Sequence, residues 1–234
     1  MSPVNAVVLA AGKGRRLAAG LSKAYVPIAG RPLVLRTLDR IFAARAVHTV
    51  VLVVAAGEIA HCESLLRSDP ALRDQRWLLQ AGGVTRQQSA MLGLACVGSD
   101  CDIVVIHDGA RPFVSASLID RSIEAAAEKD AVVVGLPVRD TIKRVSAEGW
   151  VQSTAERSGL WEIQTPQTFK RELIVAAHER AELEGVQVTD DAMVVERCGV
   201  PVWVLEGERT NIKITVPEDV SLAEMLVREG RVVS

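Results

Sequence analysis

The sequence predicts an α/β protein with a doubly wound, mostly parallel β-sheet. Four near-continuous apolar runs of strand length are "NAVVLA" (5–10), "HTVVLVVAA" (48–56), "DIVVIHD" (102–108) and "DAVVVGLPV" (130–138). Runs that are apolar throughout are typical of central parallel strands that are covered on both faces. Segments of helical period lie between them, and this alternation of strand and helix favours a parallel sheet.

The helical segments are recognised by the spacing of their apolar residues and by their capping residues. Residues 31–46 place Leu35, Leu38, Ile41 and Phe42 on one stripe. The segments 85–98 and 115–130 have the same period, and the second begins at Ser115 or Ser117 as a candidate N-cap. Strands and helices in this order predict a Rossmann-like sheet, in which ligands bind beyond the carboxyl ends of the strands.

The pattern changes between Arg139 and Arg157. The stretch "RDTIKRVSAEGWVQSTAER" alternates polar and apolar residues around the turn signal "AEG", which predicts an antiparallel β-arm that leaves the main sheet. After it we expect a helix over 170–185, a strand over 200–207 and a helix over 217–230. We therefore expect one domain with the segment 139–157 as an extension.

Composition excludes several classes of function. The chain has 234 residues, 49% of them hydrophobic, and a net charge of −2, so no global basic field is available to hold nucleic acid or an anionic membrane. The longest apolar runs are too short to span a bilayer, and the N-terminus lacks the pattern of a signal peptide. The four cysteines show no C-x-x-C spacing, so we expect reduced thiols in a cytoplasmic protein.

A glycine-rich loop, "AAGKGRRL" (10–17), follows the first apolar run. A dinucleotide fingerprint needs a third glycine where Leu17 stands, and the G-x-x-x-x-G-K-[ST] pattern of a P-loop is also absent. Gly12 and Gly14 nevertheless allow backbone N–H groups to approach an anion. Positive charges are concentrated on the same loop, at Lys13, Arg15, Arg16 and Lys23. This pattern favours an oligophosphate site over the alternative of a solvated basic loop.

The loop resembles the G-x-G-x-R-[ML]…K signature of sugar-phosphate nucleotidyltransferases, and further motifs narrow the resemblance. They are "GGVTRQQSAMLGL" (82–94), "HDGARPF" (107–113), "PVRDTIKR" (137–144), "RSGLWEIQTPQTF" (157–169), "TDDA" (189–192), "LEGERTNIKIT" (205–215) and "PEDVSLAE" (217–224). They occur in the order found in the 2-C-methyl-D-erythritol 4-phosphate cytidylyltransferase family. The resemblance implies one nucleotidyltransferase domain over residues 1–234, acting as a cytoplasmic homodimer through the arm.

The resemblance also implies the reaction. CTP and 2-C-methyl-D-erythritol 4-phosphate would give 4-diphosphocytidyl-2-C-methyl-D-erythritol and pyrophosphate, a step in non-mevalonate isoprenoid precursor synthesis. The attacking group is a phosphate monoester, which is already largely ionised at neutral pH, so no general base is needed. Positioning and cationic clamps should dominate the catalysis.

Residue roles follow from the same resemblance. The catalytic set would be Arg16, Lys23, Arg157 and Lys213. Arg16 and Lys23 would stabilise the transition state, and Arg157 and Lys213 would place the acceptor. Lys213 is expected on a strand "NIKIT". The CTP set would be Ala10, Ala11, Gly12, Gly14, Arg15, Gly83, Ser89, Asp108 and Gly109. The acceptor set would be Asp108, Arg111, Thr141, Arg157, Thr165, Thr189 and Asp190, with Thr141 and Arg157 reaching a neighbouring subunit.

Some of these residues also have structural interpretations. Asp108 would hold Mg²⁺, since a hard cation that bridges phosphates prefers oxygen ligands, but an aspartate after a strand also caps turns. Thr165 in "TPQ" has the alternative of turn chemistry before a helix. His107 precedes Asp108 on a strand, points to the opposite face, and is interpreted as structural.

The chain departs from the family pattern in three places. "SKA" (22–24) stands where the family usually has P-K-Q, Val84 stands where an acidic residue is common, and "HDGARP" replaces the commoner H-D-A-A-R-P. Two other functions stay open. A ribitol-5-phosphate cytidylyltransferase would share the loop, the fold and CTP, and a non-catalytic nucleotide-binding module would share the fold alone.

Overall fold

The computed structural model describes residues 3–12 and 22–232. Its strands are β1 Val4–Leu9, β2 Pro27–Ile28, β3 Arg31–Pro32, β4 Val47–Val54, β5 Trp77–Ala81, β6 Ile103–Asp108, β7 Ala131–Pro137, β8 Lys143–Val145, β9 Val151–Thr154, β10 Trp161–Lys170 and β11 Trp203–Glu206. Its helices are α1 Leu33–Phe42, α2 Ile59–Ser68, α3 Arg86–Ala95, α4 Ala116–Lys129, α5 Arg171–Leu183, α6 Asp191–Arg197 and α7 Pro217–Arg228. The α/β class is confirmed.

The central sheet has seven strands in the order β11-β7-β10-β6-β1-β4-β5. β1 pairs in parallel with both β4 and β6, and β5 and β11 are also parallel to their neighbours. The chain therefore leaves β1 towards β4 and later returns to its other side at β6. The carboxyl ends of β1 and β6 form the switch point where open α/β sheets place their ligands.

Both faces of the sheet are covered, as the apolar runs predict. Along β1, Ala6 and Val8 pack in a core with α1, α2 and α4, whereas Val7 packs on the opposite face with α3, α5 and α6. Alternate side chains of a strand point to opposite faces, so a strand with a helical layer on each side must be apolar throughout.

The main difference from the sequence-based expectation is β10, which lies antiparallel between β6 and β7. Its sequence, "WEIQTPQTFK", has no apolar alternation because its buried polar residues are satisfied by hydrogen bonds. Thr168, for example, shares a hydrogen bond of 2.9 Å with Ser122 of α4, and Gln167 Oε1 accepts one from the backbone N–H of Asp191. Buried polar groups with partners are compatible with a core strand, but they hide its pattern.

The predicted strand "NIKIT" is wrong, since residues 211–215 are irregular. They are fastened by individual hydrogen bonds instead of a ladder. Ile214 N–H donates to the carbonyl of Ala110 over 2.9 Å, and the Asn211 amide donates to the carbonyl of Thr165 over 2.8 Å. This segment crosses the carboxyl edge of the sheet and carries Lys213 there.

Helix ends follow the capping rules. Ser115, not Ser117, is the N-cap of α4, because its hydroxyl accepts the N–H of Leu118 over 3.0 Å. Thr85 begins α3 with a capping box to Gln88. The first helix is shorter than the predicted 31–46, since the chain pairs β2 with β3 before α1 begins. No helix of the described ranges is long and apolar enough to cross a membrane.

Within the predicted arm, 139–157, the strands β8 and β9 form an antiparallel hairpin. Among the described residues, β8 pairs only with β9 in a small sheet of its own, and the strands of this hairpin are exposed on both faces. Several large apolar side chains on and next to it are open to solvent, including Trp150, which is 76% exposed. An exposed apolar surface of this kind suits contact with another protein surface.

Gly93 sets how closely α3 approaches the sheet. A Cβ atom there would lie 2.5 Å from Val7 Cγ1 and 2.9 Å from Val53 Cγ2. We therefore expect Gly93→Val to lower the free energy of unfolding by about 2 kcal/mol or more through overpacking. Urea unfolding of this variant and of Gly57→Val, where a Cβ meets nothing within 4 Å, gives the comparison. Equal stabilities would show that α3 shifts freely.

Candidate active site

A cavity of about 790 Å³ opens at the carboxyl ends of β1 and β6. This size suits a nucleotide-sized ligand. The described residues that line it are Leu9, Ala10, Ala11, Gly12, Lys23, Ala24, Leu33, Ala55, Ala56, Gly82, Gly83, Val84, Thr85, Arg86, Ser89, Asp108, Gly109, Ala110 and Lys213. The structure thus brings together the described CTP residues of three motifs, which are Ala10, Ala11, Gly12, Gly83, Ser89, Asp108 and Gly109, with the predicted catalytic residues Lys23 and Lys213. Gly14, Arg15 and Arg16 lie outside the described residues.

Backbone forms the floor of the cavity. The N–H of Ala10 donates to the carbonyl of Val53 over 2.7 Å, and that of Gly109 donates to the carbonyl of Leu9 over 2.9 Å. A Cβ at position 109 would lie 3.0 Å from Ala10 Cβ and 3.1 Å from the Leu9 carbonyl oxygen. The glycine of "HDGARP" therefore fits tightly against the loop that follows β1.

Small residues form the wall opposite Asp108. A Cβ at Gly82 would clash with Ala11 Cβ and would lie 3.0 Å from Ser89 Oγ. The Ser89 hydroxyl accepts the N–H of Gly83 over 3.1 Å and donates to the carbonyl of Thr85 over 2.9 Å. Ser89 thereby fixes the glycine turn, while the Val84 side chain stands at the rim, 96% exposed.

Asp108 is surrounded by positive charge. Lys213 Nζ lies 2.6 Å from Oδ2, Arg86 Nε lies 3.4 Å from Oδ1, and Arg111 Nε lies 4.0 Å from Oδ2. Burial alone would raise the pKa of Asp108, but these cations outweigh it and hold the pKa well below its usual range. The carboxylate is therefore ionised at any physiological pH.

Arg86 is a pocket residue that the sequence analysis did not single out. Besides Asp108, its guanidinium contacts Asp191, with 2.7 Å between Nη2 and Oδ2. Burial lowers the pKa of Arg86, but Asp191 and Asp108 outweigh this and raise it. One signal was available: an arginine in the first turn of a helix opposes the helix dipole, so its position after "GGVT" calls for a nearby anion.

A buried relay fixes the backbone of Asp108. The carbonyl of Arg111 only accepts, so His107 Nε2, 3.2 Å away, carries the proton. In the neutral ring His107 Nδ1 then accepts from the Thr165 hydroxyl over 3.0 Å, and that hydroxyl accepts the N–H of Asp108 over 3.0 Å. Thr165 thus lies in a strand, not in a turn before a helix, and its hydroxyl is used to hold Asp108.

The neutral state of His107 predicts a pH dependence of stability. Burial lowers the pKa of His107 to about 4. Between the unfolded value near 6.5 and this value, the unfolded chain binds a proton that the folded chain does not. The contribution of the neutral ring to the free energy of unfolding is therefore fully present above about pH 6.5. It falls by about 3 kcal/mol as the pH drops from there to about 4.

Denaturant unfolding between neutral and mildly acidic pH measures this slope. His107→Gln should flatten it, whereas His48→Asn, at an exposed histidine, should leave it unchanged. A wild-type slope that the His107 variant retains would assign the pH dependence to other groups.

Arg111 is held in place below the cavity. Its Nη1 donates to the carbonyl of Asn211 over 2.7 Å, and its side chain is mostly buried. Burial lowers the pKa of Arg111 while Asp108 partly restores it. Arg111 and Asn211 thereby join the "HDGARP" segment to the segment that carries Lys213.

Of the seven predicted acceptor residues, only Asp108 lines the cavity; Arg111 and Thr165 are buried and contact Asp108, whereas Thr141, Arg157, Thr189 and Asp190 are not among the lining residues. Thr141 and Arg157 are exposed beside the arm, and Arg157 Nη1 donates to the carbonyl of Arg139 over 2.7 Å. Thr189 is exposed, and Asp190 caps α6 by accepting the N–H of Met193 over 3.1 Å. For the arm residues, the prediction that a second subunit completes the site is consistent with this position.

The carboxylate of Asp108 fits a Mg²⁺ ion whose other ligands are phosphate oxygens of the substrate and water. Asp108 is the only acidic residue among the described lining residues, and the described ranges contain no group of three or more His, Cys, Asp or Glu side chains that could hold a metal ion. Mg²⁺ is commonly bound by one or two carboxylates together with substrate phosphates and water. A single ionised carboxylate is therefore sufficient.

Comparison with known proteins gives a consistent result. A family model described as 2-C-methyl-D-erythritol 4-phosphate cytidylyltransferase matches residues 4–229. A protein of that name from Caldanaerobacter subterraneus is 39% identical over 226 residues, covering 97% of this chain and 99% of the relative.

Solved structures agree with this. The crystal structure of 4-diphosphocytidyl-2C-methyl-D-erythritol synthase from Anaerococcus prevotii superposes with a TM-score of 0.85 at 29% identity, covering 97% of this chain and 99% of the other. The crystal structure of 2-C-methyl-D-erythritol 4-phosphate cytidylyltransferase from Thermus thermophilus gives 0.80 at 33% identity, with coverage of 97% and 99%. By sequence and by structure, the chain belongs to the 2-C-methyl-D-erythritol 4-phosphate cytidylyltransferase family.

Proposed function

We propose that this chain transfers the cytidylyl group of CTP to 2-C-methyl-D-erythritol 4-phosphate, giving 4-diphosphocytidyl-2-C-methyl-D-erythritol and pyrophosphate for isoprenoid precursor synthesis. The observation that carries the proposal is the ionised Asp108 at the switch point of the sheet, ringed by Lys213 and Arg86 in a cavity with a backbone floor. Such a site suits a metal-bound triphosphate and a second anion. Family membership supplies the nature of the two substrates.

The proposed chemistry needs charge control and alignment. A phosphate oxygen of the acceptor attacks the α-phosphorus of CTP, and the bond to the pyrophosphate leaving group breaks. The attacking monoester is mostly ionised at neutral pH, so no protein base has to remove a proton. The work of the protein is to hold two anions in line and to stabilise the charge that develops.

Each pocket residue has a place in this scheme. The backbone of Ala11 and Gly12 cradles the triphosphate beside Ala10, whose own N–H donates to the carbonyl of Val53, while Lys23, with Arg16 from the same loop, stabilises the transition state. Lys213 is 41% exposed and is the least buried of the cations around Asp108, so it is the cation that can turn from the carboxylate to the acceptor phosphate. Asp108 would hold Mg²⁺, which when bound neutralises phosphate charge.

The acceptor site is proposed to be shared between subunits. In this proposal residues 1–234 act as one cytoplasmic nucleotidyltransferase domain, and the exposed apolar arm over 139–157 pairs with a second copy. Arg157 and Thr141 would then face the partner's cavity, where a guanidinium suits bidentate binding of phosphate. Their exposure beside the arm in a single chain supports this arrangement.

A comparison of acceptors tests the function. Purified protein with CTP and Mg²⁺ should release pyrophosphate rapidly with 2-C-methyl-D-erythritol 4-phosphate and far more slowly with ribitol 5-phosphate. Pyrophosphate release is measured by a coupled phosphate assay, and omission of the acceptor is the control. Equal rates, or faster release with ribitol 5-phosphate, would overturn the proposed acceptor. Binding of CTP without any turnover would favour a nucleotide-binding module.

A further inference from the structure

A chain of buried ion pairs leads from the cavity into the helical layer behind it. Arg86, the first residue of α3, lies between Asp108 at the cavity and Asp191, the first residue of α6. Its Nη2 is 2.7 Å from Asp191 Oδ2, while its Nε is 3.4 Å from Asp108 Oδ1. Of the two carboxylates, that of Asp191 therefore lies closer to the Arg86 guanidinium.

Asp191 is a fixed anchor. It is fully buried, and its Oδ1 lies 3.2 Å from His178 Nε2 of α5. Its own N–H and that of Ala192 donate to Gln167 Oε1 of β10 over 3.0 and 3.2 Å. Arg86 approaches Oδ2 as an ion pair without a well-aligned hydrogen bond, so charge is the main component of that contact.

This arrangement matters for the charge that Asp108 presents to the cavity. Lys213 is exposed enough to move away, but Arg86 is held beside the carboxylate by its helix. A guanidinium that paired with Asp108 alone would move closer to it and neutralise it permanently. The Asp191 carboxylate instead draws Arg86 away, because opposite charges attract strongly in a buried setting.

We propose that Asp191 is a positioning residue that holds Arg86 back from Asp108 and so keeps the Asp108 carboxylate available to the metal ion that accompanies CTP. This inference rests on the proposed function. Asp191 is not among the residues that line the cavity, so it acts through Arg86. If the contact between Arg86 and Asp191 were only a structural salt bridge between α3 and α6, its loss would lower stability. It would not change the ratio of the affinities for CTP with and without Mg²⁺.

Calorimetric titration of CTP, once with Mg²⁺ and once with EDTA, separates the two roles. In Asp191→Asn the charge that draws Arg86 away is lost, and the net charge at the cavity becomes more positive. We expect CTP in EDTA to bind about threefold tighter, and the enhancement of CTP binding by Mg²⁺ to fall about fivefold or more. An unchanged enhancement by Mg²⁺ would overturn the proposal.

Arg86→Gln is an independent test, because its expected effects on CTP binding in EDTA and on the enhancement by Mg²⁺ are opposite to those of Asp191→Asn. Removing the cation frees Asp108, so Mg²⁺ should enhance binding at least as strongly as in the wild-type protein, and CTP in EDTA should bind more weakly. Asp191 retains His178 as a partner in this variant, which favours folding even if Asp191→Asn does not fold. A reduced enhancement by Mg²⁺ in Arg86→Gln would contradict the proposal.

Asp120→Asn is the matched control. Asp120 is also a buried aspartate with an arginine partner, Arg45, at 3.2 Å, but it lies on α4 and does not line the cavity. It should lower the thermal midpoint without changing either titration. Absence of turnover by the wild-type protein in the pyrophosphate-release assay would overturn the proposed function itself, which distinguishes that failure from a failure of the Asp191 inference.

Discussion

Asp108→Asn is expected to lower kcat by about 100-fold or more, because it removes the charge that would hold the metal ion and offset the cations around it. The substitution keeps the size of the side chain. It leaves Lys213, Arg86 and Arg111 around a neutral amide, and Asp108 is only 7% exposed, so water cannot replace the lost charge. Steady-state pyrophosphate release at several Mg²⁺ concentrations measures the effect.

The same variant has a stability signature. Breaking a buried ion pair by removing one partner costs about 3 kcal/mol or more, so unfolding by urea should shift to lower denaturant concentration. Activity is therefore compared at a temperature where both proteins are folded, with Asp120→Asn as the control for loss of a buried carboxylate. Near-normal turnover with an unchanged Mg²⁺ requirement would remove Asp108 from the proposed site.

The central strands were predictable because a strand that is covered on both faces must be apolar throughout, and such runs are visible in the sequence. β6 and β7 fall within a predicted apolar run, β1 and β4 each begin one residue before theirs, and the helices that pack on them keep their apolar period. β10 was not predictable by this route. Its buried residues, such as Gln167 and Thr168, are polar and depend on partners in α4 and α6 that only the folded chain brings near.

The residues of the site were likewise predictable only where their signal is local in sequence. The loop after β1 and the "HDGARP" segment carry local signals, and the structure places their described residues in one cavity. Arg86 and Asp191 lie far apart in sequence, and their pairing depends on the packing of α3 beside α5 and α6. Lys213 was expected on a strand "NIKIT", whereas Asn211 and Ile214 are instead fixed one at a time by long-range hydrogen bonds.

The second large effect is expected at Lys23. This residue begins a short 3₁₀ turn, Lys23–Tyr25, and it lines the cavity. The turn is firmly seated: Ala24 is buried, the Tyr25 ring meets His61 edge-on with centroids 4.7 Å apart, and Val26 accepts the N–H of Leu33 over 2.9 Å. The fixed backbone of this turn sets the point from which the Lys23 side chain extends along the cavity, and a positioned cation is what effective stabilisation of developing charge requires.

We therefore expect Lys23→Ala to lower kcat by about 100-fold or more while KM for the acceptor changes little, since the lost interaction strengthens only in the transition state. Arg16→Ala, on the adjoining loop, should behave alike. Lys129→Ala is the matched control, because Lys129 is exposed and lies over the Trp203 ring at 5.4 Å, away from the cavity. Lys23→Arg keeps the charge and should recover part of the rate. If Lys23→Ala instead raises KM for CTP and leaves kcat intact, Lys23 binds the ground-state triphosphate without favouring the transition state.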